Sequence, residues 1–431
     1  MYRDKIIDLI AWKDKANRKP LIVNGARQVG KSWLIKHFGD TYFQGKSVVI
    51  NFERNKNLHT IFKADYDVKR ILFELELLLN IQIEIGKDLV FFDEIQACPE
   101  ALGCIRYFYE ELPALHVIVA GSLLDFEFRN QPFPVGRVET LNLYPMTFYE
   151  FLKARGKEPL SKLLKTPLDK LPNNIETYFE EDFNLYLIVG GMPECVAYFT
   201  ETNDLIGLKQ IQNDLLYTYE QDFKKYKPSI SSDCLLDILD NSIKLMGNQV
   251  IYTKLSERFT NPTIKKGVEV LKTARLLHTI SNVSVSSLPL TPSGKQFKLF
   301  FLDVGLLLRK SNLEYQHLYV KRELSAAFQG MLAEQFVAQQ LIAQQNQQVY
   351  YWARTESGAS SEIDFVTVQE GKIIPIEVKA GKSGSLKSLH YLLEHYPNIE
   401  KAIVFSQAPR GQNGQINFVP IYFAGELMGD F

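Results

Sequence analysis

The chain has 431 residues, 46% of them apolar, with 49 basic and 50 acidic side chains for a net charge of −1. Roughly two to four domains are expected at that length, and the balanced charge excludes a globally basic nucleic-acid binder while leaving room for a local basic face. No apolar run approaches the ~18 residues of a membrane span, the opening MYRDKIIDLIAWKDK reads as an amphipathic helix rather than a signal peptide, and Cys98, Cys104, Cys195 and Cys234 lack zinc spacing, so a soluble cytoplasmic protein with reduced thiols and no membrane partner is expected.

In chain order, 20–24 is a short apolar run suited to a buried strand. It leads into Gly25-Ala26-Arg27-Gln28-Val29-Gly30-Lys31-Ser32, which reads GxxxxGK[ST], and 33–38 continues as a helix. This is the pattern of the phosphate-binding loop of P-loop NTPases. Its glycines let the backbone wrap a phosphate, and the N–H groups at the helix start hold negative charge. Lys31 would reach the β- and γ-phosphates of ATP, and the Ser32 hydroxyl would complete the Mg²⁺ shell. A second strand is expected over 47–52 and a helix over 67–86, with Ile71, Leu72, Leu75, Leu78 and Leu79 on one face.

The run Leu89-Val90-Phe91-Phe92 ending in Asp93-Glu94 reads as a Walker B strand. Asp93 would hold Mg²⁺ through water and Glu94 would polarise the attacking water. Asn51 is a candidate to hydrogen-bond Glu94 and hold it idle. Strand 117–120 ends at Gly121-Ser122; Ser122 is either a γ-phosphate sensor or part of a plain strand-ending turn. Arg137 precedes one more strand, 139–143. The stretch 153–174, with Pro159, Pro167 and Pro172, reads as an exposed connector, and 173–227 as helices interrupted at GGMPE.

The series GARQVGKS, LVFFDEIQ, VIVAGS, VGRVETLNLYPMTFYEF and YLIVGGMPE resembles a prokaryotic AAA/STAND-type ATPase family, whose ATPase is fused to a C-terminal domain long labelled as of unknown function. The resemblance runs from about residue 2 to the C-terminus. It implies an AAA-type domain over 1–150 and a helical lid or connector over 151–231, with Gly190-Gly191-Met192-Pro193 similar to the GxP-type motif of STAND relatives. It also implies that Arg137 stands where a finger into a neighbour's active site would be; a surface ion pair is the competing reading.

Helices over 232–246, 252–258 and 262–274, followed by strands 276–285 and 298–303, make a winged helix over 232–315. Lys265, Lys266, Lys272 and Arg275 lie on or near its presumed recognition helix. Packing against another protein surface is the alternative use of such a module. The last segment, 316–431, opens with a helix over 323–345, on which Gln339, Gln340, Gln344 and Gln345 read as a solvated face. Strands 349–353, 362–368 and 373–379, helix 386–395 and strand 401–405 follow.

The order α-β-β-β-α-β resembles the restriction-endonuclease-like fold, and Asp364 with Glu377-Val378-Lys379 resembles its PD-(D/E)xK signature. Two carboxylates on adjacent strands would bind a divalent metal that activates water, and Lys379 would orient that water or stabilise developing charge. Glu334 matches the helical carboxylate of the resolvase-like branch. The expected architecture is thus α/β: a P-loop NTPase sheet of AAA type, a helical lid, a winged helix and a nuclease-like domain. Two functions fit it. One is an ATP-dependent DNA-processing enzyme; the other is a regulatory ATPase switch whose nuclease-like domain only binds DNA or protein. Candidate partners are ATP, DNA and further copies of the chain.

Overall fold

A computed structural model describes residues 1–121, 136–172, 174–226, 230–313, 326–344, 348–354, 361–381 and 384–426. It divides into two compact units, residues 3–144 and residues 145–431 together with Met1 and Tyr2.

In the first unit the strands are β1 (Leu21–Asn24), β2 (Ser47–Asn51), β3 (Leu89–Asp93), β4 (His116–Ala120) and β5 (Glu139–Asn142). They form a sheet of order β2-β3-β4-β1-β5 in which every paired neighbour is parallel. Every residue of β1, β3 and β4 is buried, as expected of strands with both faces covered. The chain leaves β1 and β3 at the same sheet edge, which is where an open parallel sheet builds its ligand site. Helices α1 (Ile6–Lys13), α2 (Lys31–Tyr42), α3 (His59–Ala64), α4 (Val68–Leu79) and α5 (Pro99–Glu111) belong to this unit. The helix expected over 67–86 stops at Leu79. Asp67 caps its start by accepting from the Lys69 and Arg70 backbone N–H groups, and Asn80, left-handed at φ 50°, ends it. Leu78, expected on the inner face, is 59% exposed.

His116 opens β4 beneath two aromatic rings, Trp12 and Phe43, whose centroids lie 6.1 and 4.9 Å away, and its buried Nδ1 makes no hydrogen bond among the described residues. Burial, reinforced by the Arg18 and Lys13 charges, pushes its pKa down to about 4. The folded imidazole is therefore neutral where the unfolded one has gained a proton. Its contribution to stability is full above the unfolded value of ~6.5 and is lost as pH falls toward the folded value. His116→Phe is expected to flatten the loss of stability between those two pH values in thermal melts.

In the second unit, α6 (Phe148–Ala154) runs into the stretch expected to be an exposed connector, 153–174, and α7 (Glu158–Leu164) lies within it. A capping box from Thr147 and Glu150 starts α6, and Pro159 sits in the first turn of α7, so that proline opens a helix rather than marking a loop. Helices α8 (Glu176–Val189), α9 (Pro193–Thr202) and α10 (Leu205–Tyr226) follow, with GGMP as the break between the first two. Next come α11 (Ser232–Lys244), a single 3₁₀ turn at Tyr252–Lys254 in place of a full helix, and α12 (Asn261–Thr273). The hairpin β6 (Leu277–Ser284) and β7 (Thr291–Phe301) is longer than expected, because β7 begins at Thr291 rather than residue 298.

After α13 (Val304–Lys310) and α14 (Ala326–Ala343) come β8 (Tyr350–Ala353), β9 (Glu362–Gln369), β10 (Lys372–Val378), α15 (Lys387–His395), β11 (Ala402–Ser406), β12 (Gly411–Asn413) and β13 (Ile416–Pro420). One sheet of order β12-β13-β11-β10-β9-β8-β6-β7 contains both these strands and the hairpin. Asn282 of β6 makes the junction. Its side-chain amide donates to the Ala353 carbonyl (3.2 Å) and its carbonyl accepts from the Ala353 N–H (2.9 Å), imitating a strand.

Gln339 and Gln340 are 6% and 2% exposed, so they are not a solvated face. Gln340 accepts from the Phe148 N–H, and both amides donate to the Tyr186 hydroxyl. Gln339 also donates to Asp303, a fully buried carboxylate between β7 and α13 that accepts from the N–H groups of Gly191 (2.6 Å), Leu306 (3.1 Å) and Gly305. Gly190 turns at φ 74° directly against it; a Cβ there would lie 2.0 Å from Asp303 Oδ1. Asp303→Ala strands these donors and is expected to cost about 3 kcal/mol, read as a lower urea midpoint for this unit.

Candidate functional site

The loop after β1 turns through Gln28 (φ 63°) and Gly30 (φ 93°) into α2, whose first residue is Lys31. Gly25 passes so close to β5 that a Cβ would meet the Leu143 carbonyl oxygen at 2.4 Å. Lys31, 8% exposed, donates to the Gly25 and Ala26 carbonyls at 2.9 and 2.8 Å, inside the curve of the loop. Ser32 Oγ donates to Asp93 Oδ1 at 2.8 Å, which brings together the hydroxyl and carboxylate expected to flank Mg²⁺. This donor set, beside a buried lysine and a helix N-terminus, fits a nucleotide phosphate with its Mg²⁺.

Asn51 reaches Asp93 rather than Glu94: its amide donates to Oδ2 at 3.2 Å. Register explains the correction, because Asn51 and Asp93 are paired across β2 and β3 and so share a sheet face. Glu94 lies beyond the strand at φ 51° and accepts from Gln96 Nε2 at 2.7 Å. Burial raises its pKa, opposed by that hydrogen bond. Gln96 was legible as part of the Walker B stretch but carried no signal of this contact. Arg137 makes an ion pair with Glu110 at 3.0 Å and is half-exposed. Ser122 lies outside the described residues.

The second cluster belongs to the other unit. Phe365 pairs with Ile376 across β9 and β10, so the next step of the antiparallel ladder sets Asp364 beside Glu377. Asp364 Oδ2 accepts from the Val378 N–H at 2.8 Å, and Lys379 Nζ donates to Glu377 Oε1 at 2.6 Å. Glu334 comes from α14. The residue that sequence reasoning missed is Lys298 of β7, 1% exposed, whose ammonium touches Glu334 (3.3 Å), Asp364 (3.4 Å) and Glu362.

Among the described residues no group of three or more His, Cys, Asp or Glu side chains could by itself hold a metal ion. Asp364 and Glu377 do fit a two-carboxylate site, since Glu377 Oε2 is buried with no hydrogen-bond partner among the described residues. Burial, then the Asp364 charge, raises the pKa of both Glu334 and Glu377, while Lys298 and Lys379 oppose the rise.

Residues 17–152 match the family model described as AAA domain. Residues 180–317 and 329–423 match two models described as Domain of unknown function (DUF8612 and DUF4143). No curated protein matches the chain. Among solved structures it is similar to a Walker-type ATPase of Pyrococcus abyssi at 15% identity, covering 72% of this chain and 95% of that one with a TM-score of 0.46. It is also similar to the Aeropyrum pernix ORC1 protein in complex with DNA (12%, 75% and 95%, 0.32) and to Thermotoga maritima RuvB (16%, 64% and 87%, 0.30). Residues 17–152 are thus an AAA-type P-loop domain, of the ATPase class.

Proposed function

We propose that the protein binds and hydrolyses ATP in residues 1–150 and couples nucleotide state to a helical lid (151–231), a winged helix (232–315) and a nuclease-like module (316–431) acting on DNA. The observation that carries the first half is the Ser32–Asp93 hydrogen bond beside Lys31. Mg²⁺ held there would screen the phosphates. Lys31 would bind the β- and γ-phosphates, Glu94 would accept a proton from the attacking water, and Gln96 would fix the Glu94 carboxylate in place. Arg137, released from Glu110, is the group a neighbouring copy would receive as a finger.

On the DNA side, a cleft of about 540 Å³ between α12 and the hairpin is lined by Lys265, Lys272 and Lys295, charges suited to backbone phosphates. At Asp364 and Glu377, a divalent ion would activate water for phosphodiester attack while Lys379 stabilises the developing charge. The regulatory switch, with a module that only binds, is favoured by one observation: Lys298 already neutralises part of the carboxylate cluster.

Saturating ATP·Mg²⁺ at ~100 times its Kd should stabilise the protein by about 2.7 kcal/mol. Lys31→Ala should lose that shift in thermal melts, and a full shift in the variant refutes the assignment. Glu94→Gln is expected to keep the shift and hydrolyse ATP far more slowly. With Mn²⁺, the wild type is expected to nick branched, single-stranded or duplex DNA, and Asp364→Ala and Lys379→Ala to leave it intact. A wild type silent on all three leaves the binding-only module.

A further inference from the structure

Four carboxylates and two ammonium groups meet where β9, β10, α14 and β7 converge. Glu377 has its own partner in Lys379. Among the described lysines only Lys298 reaches the other three, Glu334, Glu362 and Asp364, and an ammonium has only three N–H donors to give; Glu362 also accepts from Gln249 Nε2 at 2.6 Å. Four carboxyl groups thus face two ammonium groups, an acid-rich pocket whose oxygens a divalent cation could share. Two polar atoms here are buried with no hydrogen-bond partner among the described residues: Glu377 Oε2 within the cluster and the Tyr351 hydroxyl beside it. The Lys298 ammonium stands 5.8 Å from the Tyr351 ring centroid.

Lys298 is held there by its strand. β7 is paired along one side with β6, and on the other Phe297 exchanges both backbone hydrogen bonds with Val250. Removing the ammonium would leave carboxylates from three sequence positions facing one another in a buried space, an arrangement that favours a cation of higher charge.

We propose that Lys298 is an internal counter-cation that competes with a divalent metal for Glu334 and Asp364, holding the metal affinity of the nuclease-like site down. The inference rests on the reading of Asp364 and Glu377 as metal ligands and adds the control exerted on them by a residue of the hairpin. A dication entering beside Asp364 meets a positive charge already in contact with the same carboxylate. Metal binding therefore either displaces Lys298 or is weakened by its repulsion.

The test is calorimetric titration of the nucleotide-free full chain with MnCl₂, in which the heat abolished by Asp364→Ala reports this site. Lys298→Gln should bind Mn²⁺ at least about tenfold more tightly than wild type, given the size of such a repulsion at short range, and should gain a larger rise in melting temperature from Mn²⁺. Lys298→Arg, which keeps the charge, should bind as wild type does. If Lys298→Gln does not fold, the comparison moves to Lys298→Gln/Glu362→Gln against Glu362→Gln alone, where the same tightening is expected with one fewer unpaired carboxylate. Wild type binding Mn²⁺ with no tightening in either comparison overturns the counter-cation and leaves the metal site standing. No Asp364-dependent binding in any variant overturns both.

Discussion

The C-terminal unit is organised around one buried carboxylate. Among the described residues no lysine or arginine donates to Asp303; backbone N–H groups from the GGMP turn and the start of α13, with the Gln339 amide, take that place. Such a group is costly if any donor is lost, because a buried carboxylate depends on its hydrogen bonds in place of water. The turn between α8 and α9, the end of β7 and the middle of α14 are consequently fixed to one another through two oxygens. Position follows from that: β7 delivers Lys298 and α14 delivers Glu334 to the same cavity.

The two sites share a device. In each, a carboxylate at a sheet edge is held by two donors from different segments, Asp93 by Ser32 and Asn51, Asp364 by Lys298 and the Val378 N–H. Neither carboxylate is free to rotate, so each is presented in one orientation before a ligand arrives, which is the condition for strong electrostatic work at little reorganisation cost. They differ in their immediate neighbours. Glu94 is set apart in a left-handed conformation, whereas Glu377 lies in regular strand, buried between the Asp364 carboxylate and the Lys379 ammonium.

What the sequence disclosed was local. GARQVGKS and LVFFDEIQ each place several functional atoms within one turn or strand end, so spacing alone predicted Lys31, Ser32 and Asp93 at one edge of a parallel sheet. For EIDFV and IEVK it was the resemblance to the restriction-endonuclease-like fold that implied Asp364 and Glu377 on adjacent strands, and strand period that put Glu377 and Lys379 on one face. Some misses were local, such as the helix that Asn80 ends and the one that Pro159 opens; the misses at the sites were long-range. Gln339 and Gln340 looked solvent-facing because a glutamine-rich helix gives no hint of the Tyr186 hydroxyl, far off in sequence, that it embraces. Lys298 sits in an apolar strand as an apparent interruption, and only the pairing of β7 with β6, and of β6 with β8, carries it to the carboxylates. Asn51 was aimed at the wrong acid because register, not proximity in the motif, decides which side chains share a face.

The eight-stranded sheet also shows how its margins are finished. At one margin β12 is only three residues long and wholly exposed. At the other, the outer half of β7 carries Pro292, Lys295 and a left-handed Gly294, while its inner half is covered by the Val250 loop. Unpaired strand edges template fibrils and chain-to-chain sheet extension; a proline, a charge, a kink and a short terminal strand each interrupt that growth. A sheet of this width, rich in Val, Ile and Phe, is thereby shielded from self-association along its margins.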